Sequence, residues 1–126
     1  MPIYPIGLEQ RKGTYGSPYS IKDYFQVNQE LGNSDEFLQL VQKAHDLSMK
    51  VVIDIVPNHV SLDYNYLKEQ PHLITRDKKG MPTREIDDWT DVTDLDYRNH
   101  VTQQHMSKIM QYWITKYDID GYRCDV

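Results

Sequence analysis

The sequence predicts an α/β fold in which helices alternate with parallel strands. Two segments carry apolar residues at helical spacing, and a strand-like segment follows each of them. The first of these strands, residues 51–56, is apolar except for Asp54, as is typical of a strand covered on both faces in a parallel sheet. Helices between parallel strands imply right-handed crossovers.

The first predicted helix begins after Asn33. Asn33 is a favourable N-cap residue, and Asp35 and Glu36 place negative charge in the first turn, where the helix dipole stabilises it. Apolar residues then recur at the helical period, at Phe37, Leu40, Val41, Ala44 and Leu47.

The second predicted helix begins near Asn99 and leads through Gly121 into a final strand, residues 119–126. Residues 1–7 have the pattern of a strand end, and residues 58–98 that of a long loop excursion rich in Asp, Tyr, Pro and Gly. The apolar positions of the second helix are Met106, Ile109, Met110, Trp113, Ile114 and Tyr117.

Two architectures fit this order of elements, a doubly wound sheet and part of a (β/α)8 TIM barrel. A dinucleotide-binding sheet would place a G-x-G-x-x-G motif after the first strand, and the sequence has none. We therefore favour the barrel. Because a complete barrel needs about 250 residues, residues 1–126 are expected to supply its N-terminal part, roughly strands 2 to 4, with the 58–98 loop after strand 3.

Composition and charge limit the classes of partner. The chain has 39% hydrophobic and 26% charged residues, as soluble globular domains do. A net charge of −5 and scattered basic residues argue against nucleic acid and against a membrane surface. The single cysteine, Cys124, excludes an internal disulfide and leaves the cellular compartment open.

The last strand carries a candidate catalytic pair. Side chains alternate along a strand, so Gly121, Arg123 and Asp125 are expected to share one face. Barrel enzymes place catalytic groups at the C-terminal ends of strands, and a neighbouring Arg123 would favour the carboxylate form of Asp125. A buried ion pair without catalytic function is the alternative interpretation of the same pattern.

The earlier strand carries a second charged position. Asp54 would be costly to bury alone, and Arg123 on the neighbouring strand is its expected partner. The period-2 rule places Asn58 on the same face as Asp54, and His59 follows where the strand gives way to the loop. His59 is either an ordinary loop histidine or a hydrogen-bond partner of a substrate hydroxyl.

Three segments together resemble one enzyme family. Residues 54–59, with the sequence DIVPNH, resemble the first signature of the α-amylase family, glycoside hydrolase family 13, and residues 121–125, GYRCD, resemble its second. Residues 16–24, GSPYSIKDY, followed by Gly32, resemble the family's loop before the helix that precedes the first signature. The similarity runs over nearly the whole chain.

The resemblance implies a role for each matching residue. It implies that Asp125 is the nucleophile of a retaining glycosidase, that Arg123 positions Asp125, and that His59 contacts the sugar in the cleaved subsite. It also implies that Tyr19 stacks beneath that sugar and that Asp54 is a structural aspartate.

The resemblance also raises the question of calcium. Asn58 matches a position that binds a structural calcium in many amylases, but calcium needs about 6–8 oxygen ligands, which the sequence alone does not assemble. The acidic residues of the long loop lack the spacing of an EF-hand, and we interpret them as a solvated, turn-forming loop: Asp87, Asp88, Asp91, Asp94 and Asp96.

The function implied by the resemblance is hydrolysis of α-1,4-glucans such as starch, glycogen and maltodextrins. In the family the acid/base glutamate and a third carboxylate follow the second signature, so we expect these 126 residues to be inactive without the remainder of the barrel. The loop acids have no evident reason to face Asp125. A starch-degrading protein would favour an extracellular or periplasmic location.

Three alternatives to hydrolysis of α-1,4-glucans stay open. They are a transglycosylase or α-1,6-glucosidase of the same family, a non-catalytic carbohydrate-binding or partner domain, and an unrelated parallel α/β binding protein.

Overall fold

A computed structural model describes residues 1–125 and shows two helices and two small sheets. The helices are α1, Ser34–Asp46, and α2, His100–Tyr117. The strands are β1, Val52–Ile55; β2, His59–Ser61; β3, Val92–Asp94; and β4, Gly121–Cys124. A 3-10 turn at Pro71–Leu73 lies within the long loop. None of the described helices has the length and apolar character of a membrane span.

The predicted parallel pairing of strands is confirmed. β1 pairs with β4 in parallel, and the register places Asp54 opposite Arg123. α2 lies between these strands in the chain, as a parallel crossover requires. The pairing continues past β4, because the Asp125 amide donates to the Ile55 carbonyl at 2.8 Å.

Helix α1 begins where its capping residue predicts. The Asn33 side chain accepts hydrogen bonds from the amides of Asp35 and Glu36, and the Glu36 carboxylate accepts from the Asn33 amide at 3.0 Å, which completes a capping box. The predicted apolar face is only partly buried. Val41 is fully buried, whereas Leu40 and Leu47 are exposed.

Helix α2 contributes four apolar side chains to the buried core. Asn99 caps it by accepting from the Val101 amide. Its buried apolar residues are Met106, Ile109, Trp113 and Tyr117, whereas Ile114 is half exposed. Trp113 stacks on Tyr117 at 4.7 Å, and its indole N–H donates to the Tyr24 carbonyl at 2.6 Å. This contact ties α2 to the loop that precedes α1.

The strands differ from those that the sequence predicts in three places. Residues 1–7 form no strand within the described chain, because Ile6 makes only an isolated bridge to Ile21. The 58–98 excursion also contains two short strands that the sequence did not predict, β2 and β3, which form an antiparallel pair with His59 opposite Asp94. The final strand is also shorter than predicted, and Val126 lies outside the described residues.

The N-terminal segment packs against β1 without joining the sheet. The Tyr4 hydroxyl donates to the Asp54 carbonyl at 3.0 Å, and the Tyr4 ring lies 4.8 Å from that of Tyr24. Gly7 approaches β2 so closely that a Cβ atom there would lie 2.4 Å from the Ser61 Cβ. These contacts fix the loop that follows, residues 8–20, beside β2.

Candidate active site

Arg123 links the two carboxylates predicted for the site. Its Nη1 lies 3.1 Å from Oδ1 of Asp54 and 2.6 Å from Oδ1 of Asp125. Asp54 is buried. The predicted Asp54–Arg123 ion pair is therefore confirmed, and the shared face of Arg123 and Asp125 brings their charged groups into contact.

The charges of this cluster stabilise one another. Burial raises the pKa of Asp54, but the hydrogen bonds that its carboxylate accepts, that from Arg123 among them, hold this pKa below its usual value. The hydrogen bond to Asp54 raises the pKa of Arg123. Arg123 thus stays charged beside Asp125 and can orient that carboxylate.

A cavity of about 310 Å³ lies over this cluster at the C-terminal ends of β1 and β4. Three of the predicted site residues, Asp125, His59 and Tyr19, lie in its wall. Asp54 and Arg123 lie outside the wall and support it through the contact with Asp125. The rest of the lining is Lys12, Ser17, Trp89, Asp91 and Val92.

His59 enters the cavity from the first residue of β2. It is 6% exposed, and its Nδ1 lies 3.1 Å from Nδ2 of the Asn58 side chain. Burial lowers the pKa of His59, although the carboxylates of Asp94, Asp91 and Asp125 and the carbonyl of Tyr19 oppose this effect. His59 is therefore a neutral imidazole near pH 7, able to exchange a hydrogen bond with a ligand hydroxyl.

The loop that carries Tyr19 is held in shape by local contacts. The Tyr19 amide donates to the Ser17 hydroxyl at 3.2 Å. Gly16 has φ +75°, and a Cβ atom there would lie 2.8 Å from both Arg11 and Ile6. Both the backbone conformation and the space therefore require glycine at position 16.

Asp91 corrects the interpretation of the acidic loop. It is 4% exposed, it lies in the cavity wall with Asp125, and its Oδ1 is 3.7 Å from the Lys12 ammonium. The expectation of a uniformly solvated acidic loop that does not face Asp125 is therefore wrong at this residue. Asp87 and Asp88 are exposed as predicted.

Trp89 and Lys12 are cavity residues that sequence reasoning missed. The Trp89 ring lies 5.3 Å from the His59 ring, and the Lys12 ammonium donates to the Asp88 carbonyl at 2.6 Å. Lys12 and Asp88 are 76 positions apart, so no local pattern joins them. One feature of the sequence could have pointed to Trp89. It is a large apolar side chain within a run of acidic residues, where it does not contribute to solubility, and this indicates another role.

Asn58, the residue that the resemblance implies for calcium, lies between β1 and β2. The described residues contain no group of three or more His, Cys, Asp and Glu side chains placed to hold a metal, and calcium also uses amide and carbonyl oxygens. The Asn58 side chain contacts His59, and the backbone carbonyl of Asn58 accepts from the Leu95 amide at 3.0 Å. Calcium binding therefore stays a prediction.

Comparison with known proteins settles the family. The sequence model described as "Alpha amylase, catalytic domain" matches residues 2–90 and 85–126. The chain belongs to the alpha-amylase family. Alpha-amylase 3 of Dictyoglomus thermophilum is 27% identical over 99% of this chain and 28% of its own length.

Two solved alpha-amylase structures share the fold. A maltogenic alpha-amylase from Thermotoga neapolitana superposes with a TM-score of 0.93 at 43% identity, over 99% of this chain and 29% of that one. An alpha-amylase from Lactobacillus plantarum gives a TM-score of 0.93 at 47% identity, over 98% and 29% of the two chains. The predicted partial (β/α)8 barrel is confirmed, and the chain spans less than a third of these alpha-amylases.

Proposed function

We propose that the protein containing this sequence is a retaining glycosidase of α-1,4-glucans and that Asp125 is its nucleophile. One observation carries the proposal. Asp125, His59 and Tyr19 line one cavity, and Arg123 holds Asp125 at 2.6 Å from behind the cavity wall. This arrangement presents a carboxylate, a neutral imidazole and an aromatic ring to one bound sugar.

The chemistry needs two carboxyl groups. An Asp125 oxygen attacks the anomeric carbon, the bond to the leaving oxygen breaks, and a carboxylic acid protonates that oxygen. The second group, now a carboxylate, then takes a proton from a water molecule. The oxygen of that water attacks the anomeric carbon, the bond to Asp125 breaks, and Asp125 is regenerated as a carboxylate. Tyr19 would stack on the apolar face of the sugar, and His59 would bind a sugar hydroxyl.

Asp91 is the other carboxylate in the cavity wall, but it is poorly suited to be the acid. Its Oδ1 is already paired with the Lys12 ammonium at 3.7 Å, whereas a general acid must lie within hydrogen-bond reach of the leaving oxygen. We therefore assign the acid/base group to a part of the protein outside the described residues.

The charges of the cavity favour a neutral substrate. Its wall contains the carboxylates of Asp125 and Asp91 and a single ammonium, that of Lys12, which Asp91 already opposes. His59 is uncharged near pH 7. A neutral glucan fits this balance better than a phosphorylated sugar, which would need an unopposed cation.

The test uses the protein expressed from its complete reading frame with soluble starch and maltoheptaose. We expect reducing sugar to be released and its first-formed anomer to be α, as a retaining mechanism requires. Asp125→Asn should lower kcat by on the order of 10⁴-fold, because it removes the nucleophile. The matched control is Asp46→Asn, which changes an exposed carboxylate on α1 and should leave kcat within about twofold.

The alternatives predict different products. A transglycosylase would pass the sugar from Asp125 to another glucan, so longer oligosaccharides would accumulate instead of reducing sugar. An α-1,6-glucosidase would cleave isomaltose in preference to maltose. Binding of glucan without turnover by the complete protein would replace the enzymatic proposal with a carbohydrate-binding function, and a first-formed β anomer would overturn the retaining mechanism.

A further inference from the structure

Trp89 presents an aromatic ring to the candidate active site. It is 37% exposed, lies in the wall of the same cavity as Asp125 and Tyr19, and its ring is 5.3 Å from that of His59. The only other tryptophan of the chain, Trp113, is fully buried in the core. Trp89 is therefore placed to meet a ligand rather than to fill the core.

The segment that carries Trp89 is anchored on both sides. The Lys12 ammonium donates to the Asp88 carbonyl at 2.6 Å and pairs with the Asp91 carboxylate at 3.7 Å. The buried Ser20 hydroxyl donates to the Asp91 carbonyl at 2.9 Å. Residues 88–91 are thus fastened to the 8–20 loop, which also carries the Tyr19 ring.

This anchoring fixes the position of Trp89 relative to Tyr19, the two aromatic side chains that form walls of the cavity. Because Ser20 is the neighbour of Tyr19, the bond from Ser20 to Asp91 joins the two walls directly. A platform already held in place loses little conformational entropy when a ligand stacks on it. Tryptophan combines a large rigid apolar face with an N–H donor, which suits the apolar face and the hydroxyl edge of a sugar ring.

We propose that Trp89 binds the glucose unit next to the cleaved one and that Lys12 is a positioning residue for that platform. The proposal rests on the proposed glucan activity and adds a second binding position to it. If Tyr19 and His59 hold the sugar at Asp125, a ring beside His59 lies where the adjoining sugar of the same chain would pass. Lys12 itself is not expected to touch sugar, because Asp88 and Asp91 occupy its ammonium.

The first test measures binding in the complete protein. Maltotriose and maltoheptaose are titrated by calorimetry into the Asp125→Asn variant, which retains substrate. In that background we expect Trp89→Ala to weaken binding of both sugars at least tenfold and Trp89→Phe to weaken it less than threefold. Tyr15→Ala, which removes a 73% exposed ring from the same loop as Lys12, is the matched control and should change binding less than twofold.

The second test separates positioning from general stability. With Asp125 intact, Lys12→Met should raise KM for maltoheptaose about fivefold and leave kcat within twofold, and Lys12→Arg should restore most of the loss. Lys78→Met, at an exposed loop lysine, is the control. A fall in kcat at unchanged KM would overturn the assignment of Lys12.

The outcomes distinguish this inference from the proposed function. The role of Trp89 alone would be overturned if the Asp125→Asn protein binds glucan tightly and Trp89→Ala changes this affinity less than twofold. The thermal unfolding midpoint of the Trp89→Ala variant must be unchanged for this conclusion. Failure of the Asp125→Asn protein to bind either sugar would overturn the proposed function, and the inference with it.

Discussion

Arg123 on β4 lies directly opposite Asp54 on β1, and its Nη1 donates to both carboxylate oxygens of Asp54, at 3.1 and 3.3 Å. The same nitrogen lies 2.6 Å from Asp125. The ion pair that compensates the buried charge of Asp54 therefore also positions the carboxylate of Asp125. Asp54 and the proposed nucleophile, Asp125, are coupled through a single guanidinium.

Replacing Asp54 should therefore weaken the fold. Asp54→Asn removes the buried negative charge that Arg123 faces, and we expect the free energy of unfolding to fall by about 1–2 kcal/mol, a value kept small because Arg123 is largely exposed to water. Urea unfolding of the complete protein measures this change, with Asp46→Asn as the control. A loss below about 0.5 kcal/mol would show that the pair adds little stability.

Close approach of the backbone at Gly7 gives a packing prediction. Gly7→Ala would place a Cβ atom 2.4 Å from the Ser61 Cβ and 2.8 Å from the Asp63 carboxylate, so β2 must shift. We expect a loss of about 1–3 kcal/mol in the free energy of unfolding.

The matched control for Gly7 is Gly121→Ala on β4. Its added Cβ would meet only Val52, at 3.9 Å, which is an ordinary contact. Equal effects of the two substitutions in thermal unfolding would contradict the packing argument.

Two buried histidines predict loss of stability in mild acid. Burial lowers the pKa of both His59 and His105, and the Tyr64 hydroxyl lies 2.7 Å from Nε2 of His105. Below the unfolded-state pKa of about 6.5 the unfolded chain binds more protons than the folded one, so stability rises with pH. Stability is fully present above about pH 6.5 and is lost as the pH falls below it.

The measurement compares urea unfolding at about pH 5.5 and 7.5. His105→Gln should reduce the difference between the two free energies, because it removes one of the titrating groups. His100→Gln, at an exposed position on the same helix, should leave the difference unchanged. If the difference in unfolding free energy between the two pH values is the same in His105→Gln, then His105 is not responsible for the loss of stability in acid.

The parts of the fold that sequence predicted are those with local signals. Asn33 and Asn99 mark the helix starts because capping uses the nearest backbone amides. The pairing of Asp54 with Arg123 was predictable because an isolated charge in an apolar strand needs a partner. These rules operate over a few residues or across one expected pair of strands.

The parts that sequence missed depend on contacts between distant loops. β2 and β3 are three residues each, too short for an alternating pattern to stand out, and among residues 1–125 they pair only with each other. Asp91 is indistinguishable in sequence from its solvated neighbours, and its burial follows from the contacts with Ser20 and Lys12. The second aromatic wall of the cavity, Trp89, was hidden for the same reason.

Trapping the glycosyl-enzyme tests the assignment of Asp125 as the nucleophile. The complete protein is incubated with 5-fluoro-α-glucosyl fluoride, a substrate whose covalent intermediate accumulates, and the labelled peptide is sequenced by mass spectrometry. We predict that the sugar is attached to the carboxylate of Asp125 and that the Asp125→Asn protein carries no label. A sugar attached to a different carboxyl group would contradict the assignment of Asp125 as the nucleophile.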